Sequence, residues 1–232
     1  VGTGKAVTSV SLALVNGTGL ASNYLINSRT AEVTGRPVTI SGSRSYDSTT
    51  TADSSILTIT SGVSGERLSL TGAGILGAAS AGTQTITNNN TLAIADGTGS
   101  ASNYTLNGAS INVTVIPKTL NVTLAREYDG TTTVAGALLT PTFDSLQGGE
   151  TLAISGTGSV ANANVGSSKA VTLGTIALAA GSGNPSNYSL NSVLLDVTQR
   201  VINLDGIRAY DATTNVLSLS LIHISEPTRP VP

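Results

Sequence analysis

The chain has 232 residues, 39% hydrophobic and only 10% charged, with 26 Gly. Ordinary soluble domains carry about 25% charged residues, so this surface is built from Ser, Thr, Asn and Gly, which suits strands and turns and disfavours surface helices. A net charge of −2 without a basic patch excludes a nucleic-acid binder, and the lack of Cys excludes a disulfide framework and thiolate metal sites.

Residues 1–35 read as the closing part of a repeat. Lys5 stands before a strand, Asn16-Gly17 is a turn dipeptide, and Ser22-Asn23-Tyr24 follows. No charged segment with an apolar core follows Val1, so any signal peptide is expected upstream. No run reaches the 18 or more apolar residues of a membrane helix.

Residues 36–117 make one complete repeat. Arg36 stands ten positions before Tyr46, Val38 and Ile40 alternate with polar residues, and Arg44 precedes Tyr46-Asp47-Ser48-Thr49-Thr50. Period-2 alternation marks a half-buried strand. Arg44 and Tyr46 share its apolar face and are expected to close the strand with packed stems and wet polar tips. Gly65-Glu66 then opens another alternating run, Asp96-Gly97 marks a turn, and Ser102-Asn103-Tyr104 precedes Leu106, Ile111, Val113 and Val115.

Residues 118–199 repeat this order. Lys118, Leu120, Val122, Leu124 and Arg126 lead to Tyr128-Asp129-Gly130-Thr131-Thr132; Gly149-Glu150 and Ser186-Asn187-Tyr188 follow, then Leu190, Leu195 and Val197. Residues 200–218 begin a further copy, with Arg200, Ile202, Leu204, Arg208 and Tyr210-Asp211-Ala212-Thr213-Thr214. Tyr46, Tyr128 and Tyr210 are evenly spaced, and all six Tyr belong to the Tyr-Asp or Ser-Asn-Tyr markers. Val115-Ile116-Pro117-Lys118 leaves almost no linker, which predicts a stiff joint and a rod of units. The pattern ends at 218. Residues 219–232 resemble the in-frame translation of a transposase adapter from sequencing libraries and are set aside from fold reasoning; the alternative is a divergent strand with a Pro-rich tail.

Short strands between turn clusters predict an all-β chain of tandem small antiparallel sandwiches, Ig-like, of about 82 residues each. The alternatives are β-grasp-like repeats and a β-solenoid, the latter disfavoured because the sequence shows no shorter sub-period of solenoid length.

Candidate chemistry is sparse. The single His, His223, lies in the suspect tail, so His-based triads and His metal sites are not expected. Asp47, Asp129 and Asp211 recur once per repeat in turn context and are expected to hydrogen-bond the backbone two residues on rather than serve as a glycosidase pair. No calcium-loop pattern is present. Gly17-Thr18-Gly19 and Gly97-Thr98-Gly99 resemble phosphate-loop fragments, but no Lys and helix follow, which favours turns. Lys5 and Lys169 occupy equivalent places, whereas the middle repeat has Gln84 or Thr85 there, which excludes a Lys–Asn cross-link common to all repeats. Expected cofactors, metals and catalytic residues are none; the nine residues singled out, Tyr24, Tyr46, Asp47, Tyr104, Tyr128, Asp129, Tyr188, Tyr210 and Asp211, are structural repeat markers.

Tyr128-Asp129-Gly130-Thr131-Thr132, the Lys118-Thr119-Leu120 strand, Asn164-Val165-Gly166 and Asn187-Tyr188-Ser189-Leu190 resemble the YDG repeats of bacterial filamentous-haemagglutinin-like surface proteins. The resemblance covers residues 1–218 and fits 118–199 best. Residues 36–117 depart from it, with Ser48 for Gly and Ala81-Gly82-Thr83 for Asn-Val-Gly. It implies a non-catalytic stalk or adhesive segment of a large exported protein, handled by two-partner secretion, at the bacterial cell surface and associated with the outer membrane. The implied partners are glycans or proteins of host or neighbouring cells, with no nucleic acid and no membrane insertion of this segment. The alternatives are a carbohydrate- or protein-binding module, or accessory repeats of a secreted enzyme.

Overall fold

Alternating Val, Leu and Ile between Ser, Thr and Asn give strands with one apolar and one polar face. The computed structural model describes residues 1–7, 13–27, 29–203 and 212. Tyr210, Asp211 and residues 213–232, the suspect tail among them, lie outside the described residues. The described residues are all-β, with 3₁₀ turns of three residues and no longer helix. The chain divides into two compact units, Val1–Ile116 and Pro117–Pro232.

In the first unit, β1 (Gly2–Ala6) pairs antiparallel with β2 (Thr30–Val33). There follow β3 (Arg36–Ser45), β4 (Thr51–Asp53), β5 (Leu57–Thr60), β6 (Ser69–Thr71), β7 (Ala73–Leu76), β8 (Gly82–Asn88), β9 (Ala93–Ala95) and β10 (Tyr104–Ile116). Their main sheet has the order β4-β7-β8-β10-β3-β5, and β6 pairs with β9. Val38, Ile40, Tyr104 and Ile111 form a buried cluster against Leu57, Ile59, Leu68 and Leu70.

The second unit contains β11 (Lys118–Glu127), β12 (Thr133–Ala135), β13 (Thr142–Phe143), β14 (Leu152–Ser155), β15 (Thr157–Ser159), β16 (Gly166–Ala170), β17 (Ala177–Ala180) and β18 (Tyr188–Thr198). Its central sheet has the order β13-β11-β18-β16, with ribbons β12–β15 and β14–β17. A single bridge, Ser159 to Thr172, stands where the first unit pairs β7 with β8. Val122, Leu124, Val134, Ile154, Val193 and Leu195 are central to the buried cluster. Pro117 alone separates β10 from β11.

The purely antiparallel arrangement expected from the sequence does not hold. The first and last long strands of each unit are neighbours and run parallel: β3 beside β10, and β11 beside β18. Their outer neighbours are antiparallel: β5 and β8 in one unit, β13 and β16 in the other. Hydrophobic alternation sets which face a residue occupies but carries no information on strand direction. A parallel pair needs a long crossover connection; here the rest of each unit, itself made of strands, supplies it.

The parallel pair also explains a break of phase. In β10 the inward residues change from even to odd positions between Leu106 and Ile111, and the register with β3 shifts between Thr105 and Ser110. In β18 the same change follows Leu190, and the register with β11 shifts between Leu120 and Asn121. An odd number of extra residues, three in β10 and one in β18, turns the following side chains to the other face.

Leu195 is fully buried beneath this pair, whereas Leu138 is 84% exposed. Leu195→Ala is expected to destabilise the second unit by about 2–5 kcal/mol, and Leu138→Ala to stay within about 0.5 kcal/mol. Urea unfolding of the two variants checks this.

Candidate functional site

The sequence markers gather at the two ends of the parallel pair. At one end β3 runs into Tyr46-Asp47-Ser48-Thr49-Thr50, and the Tyr46 N–H donates to the Ile116 carbonyl, 2.8 Å, at the close of β10. In the second unit the Tyr128 N–H donates to the Thr198 carbonyl, 2.9 Å. Asp47 Oδ1 accepts from the Thr49 N–H and hydroxyl, both 2.9 Å, and Asp129 Oδ1 accepts from those of Thr131, both 3.0 Å.

The arginine two residues before each Tyr clamps this turn. Arg44 forms an ion pair with Asp47 and donates to the Thr49 hydroxyl, 3.0 Å, and the Thr49 carbonyl. Arg126 stands 3.2 Å from Asp129 and donates to the Thr131 hydroxyl, 3.2 Å, the Thr131 carbonyl, 2.5 Å, and the Thr133 carbonyl, 2.6 Å. The expectation of wet polar tips is thereby corrected: the Arg44 and Arg126 side chains are 8% and 10% exposed, and Tyr46 is 3% exposed. The guanidinium turns inward because the turn offers it a carboxylate and carbonyl oxygens, which replace water.

Burial opposes ionisation of Asp47, but hydrogen bonds from the Thr49 backbone and hydroxyl and from Arg44 prevail and hold its carboxyl below the usual value of 3.8. The third motif position is left-handed in all three copies: φ is 63° at Ser48, 76° at Gly130 and 62° at Ala212. Gly adopts that region without strain, and Ser and Ala do not.

At the other end of the pair, Tyr104 lies opposite Arg36 and Tyr188 opposite Lys118. A 3₁₀ turn, Ala101–Asn103 or Pro185–Asn187, delivers each Tyr to the start of its strand. The Tyr104 hydroxyl donates to Glu66 Oε2 and the Tyr188 hydroxyl to Glu150 Oε2, each at 2.5 Å. Tyr188 Oη also accepts from the Gln147 N–H, 3.0 Å. Two markers far apart in the sequence are thus one contact. The hydrogen bond to Glu66 keeps the Tyr104 proton in place and, with burial, raises its pKa above the usual 10.0. Tyr24 is 68% exposed.

The Gly-x-Gly loops cover this contact. A Cβ on Gly99 would stand 2.5 Å from Glu66 Oε2, and one on Gly183 would stand 2.9 Å from Glu150 Oε2. Thr98 Oγ1 accepts from the Arg67 N–H, 2.8 Å, and donates to the Gly65 carbonyl, 2.9 Å. A carboxylate therefore faces Gly97-Thr98-Gly99, which is the wrong charge for a phosphate cradle.

Lys169 Nζ donates to the Asn162 carbonyl, 2.7 Å, Asn162 Oδ1, 2.9 Å, and the Asn164 carbonyl, 2.5 Å, and so ties down the Asn164-Val165-Gly166 loop. Gln84 Nε2 makes one such bond, to the Ser80 carbonyl, 2.9 Å. An open groove of about 500 Å³ runs beside Glu66, lined by Ile59, Ser61, Val63, Arg67 and Leu68 among others. Among the described residues, no group of three His, Cys, Asp or Glu could hold a metal ion, and no helix is long and apolar enough to cross a membrane.

A YDG domain occupies residues 116–194, by match to that family. No curated protein and no solved structure matches the chain.

Three outcomes are expected. Tyr188→Phe removes a donor to a carboxylate and lowers the stability of the second unit by about 1.5–3 kcal/mol. Left-handed Ser costs about 1–2 kcal/mol and Gly returns about 0.5–1 kcal/mol as chain entropy, so Ser48→Gly raises first-unit stability by up to about 1 kcal/mol and Gly130→Ala lowers that of the second; thermal unfolding checks both directions. The third concerns pH. A lowered Asp47 pKa contributes stability above pH 3.8 that is lost as pH falls through the folded value, and a raised Tyr104 pKa contributes stability below pH 10.0 that is lost as pH rises through the folded value. The deficit of Asp47→Asn relative to the parent chain should therefore shrink in acid, and that of Tyr104→Phe should shrink in alkali, in unfolding midpoints measured across pH.

Proposed function

We propose that this chain is a tandem-repeat spacer segment, a stalk of an exported bacterial surface protein, built from β-grasp-like units at residues 36–117 and 118–199, with parts of further copies at 1–35 and 200–218. One observation carries the proposal. Because the first and last strands of a unit are parallel neighbours, the chain enters at one end of the sheet and leaves at the other. A strand of ten residues spans about 33 Å, so each copy in a series lengthens the chain by about that amount.

Three further features support it. The single residue between β10 and β11 leaves little slack. The same order of elements and end contacts recurs in both units. The parallel first–last pair, flanked by antiparallel strands, favours a β-grasp-like unit over an Ig-like sandwich. The YDG match at 116–194 supports the repeat reading, and the setting in a filamentous-haemagglutinin-like protein is part of the proposal. On this reading the polar tyrosines serve the fold, and adhesion to glycans or proteins belongs to a stalk that presents a tip.

Small-angle X-ray scattering of the chain tests the spacer. The expected result is a radius of gyration well above about 17 Å, the value for a globule of this length. A value near that globular limit would overturn it.

A further inference from the structure

We propose that each unit is a shear-loaded mechanical clamp, in which the parallel pair β11–β18, like β3–β10, bears tension applied along the chain. The proposal goes beyond the spacer reading and borrows from it only the direction of pull. Every residue of β11 from Lys118 to Glu127 has a partner on β18 from Tyr188 to Thr198. β11 begins where the chain enters the unit and β18 ends where it leaves. Tension between those points slides the two strands along each other.

The evenly spaced hydrogen bonds of a parallel ladder lie across that direction, so the load falls on all of them together. A pull that separates the strands from one end would instead break them one at a time. Forced unfolding is governed by the unfolding rate, not by equilibrium stability, so the same set of bonds gives different resistance in the two directions.

Both ends of the pair are locked against sliding. Where β18 begins, the Tyr188 hydroxyl is held by Glu150 and by the Gln147 N–H. Where β11 ends, the Tyr128 N–H donates to the Thr198 carbonyl across the pair, and Arg126 holds the turn that carries Tyr128 through Asp129, Thr131 and Thr133. A one-step slide of β18 would break the contacts at both ends and bring polar residues of the pair under the core face. In the first unit the Tyr104–Glu66 contact and the Tyr46 N–H on the Ile116 carbonyl hold the corresponding positions.

The natural chain has no Cys, so introduced thiols are the sole attachment points for a single-molecule pull. In the full chain, handles on Thr119→Cys and Thr198→Cys load the pair in shear. Handles on Ala125→Cys and Thr198→Cys peel it from one end. All three positions are exposed. The expected unfolding force is at least about twofold higher in shear, because the bonds yield together, in an event releasing about 250 Å of chain. Adding Tyr188→Phe is expected to lower the shear force by a larger fraction than the peeling force, since its loss of stability is common to both pulls but peeling starts at the opposite end; an equal fractional drop in both would overturn the lock at Tyr188. Equal forces in the two directions, or a lower force in shear, overturn the clamp. That outcome would leave the spacer reading to the scattering measurement, which does not depend on it.

Discussion

The parallel pairing of the first and last strands is the constraint on which the rest of each unit depends. Two strands that leave their ends on opposite sides of a sheet cannot be joined by a tight turn. Everything between them must travel back across the unit, and it does so as short strands and ribbons packed against the pair. The core forms beneath it, with Leu120, Val122 and Leu124 of β11 and Val193, Leu195 and Val197 of β18 at most 3% exposed. The outer face carries Thr119, Asn121, Thr123, Ser189 and Asn191, exposed to solvent, which is why a chain with so little charge still has a polar surface.

That pair is made stable in one register by what stands at its ends. A ladder of β-branched and aliphatic residues specifies its face strongly but can slip in steps of two with little change of pattern. The Tyr–Glu contact does not tolerate such a step, because it joins the last strand to a loop from elsewhere in the unit, and neither does the bond from the Tyr46 or Tyr128 N–H to the carbonyl at the close of that strand, whose turn the Arg and Asp hold in shape. Their polar groups are buried or half-buried and, apart from the Arg44 and Arg126 Nε atoms, hydrogen-bonded, so losing a partner costs more than the bond itself contributes. Register and direction are therefore held by a few polar groups, while the bulk of the stabilisation comes from apolar burial.

The same logic accounts for differences between the two units. Ser48 replaces Gly130 at a left-handed position, and Gln84 replaces Lys169 beneath a loop. Each substitution keeps the local geometry with a weaker solution: a strained backbone in one case, one hydrogen bond in place of three in the other. The Tyr–Glu contact at the end of the parallel pair is not relaxed in this way. Tyr104 and Tyr188 are 8% and 5% exposed and meet Glu at the same distance.

Much of this was legible in the residues. Period-2 alternation placed the long strands, the even spacing of the Tyr-Asp motifs marked equivalent positions, and the composition left no place for helices. Asp47 and Asp129, in turn context and followed two residues on by Thr, pointed to a side chain bonding the backbone. What the residues could not convey was direction and partnership. Alternation is identical for parallel and antiparallel strands, so β3 with β10 and β11 with β18 looked like members of an antiparallel sandwich. Glu66 and Tyr104 looked like two separate markers, because sequence spacing says nothing about which loops a crossover brings together, and Arg44 looked like a surface cap, because alternation does not show that the following turn folds its carboxylate and carbonyl oxygens back onto the guanidinium. The sequence by itself determined the repeat, the faces of its strands and the chemistry of its turns, since these depend on neighbours along the chain. Only the tertiary structure decided that the chain leaves each unit at the end opposite to where it enters and that the tyrosines lock the central pair, since both depend on contacts closed across long stretches of intervening chain.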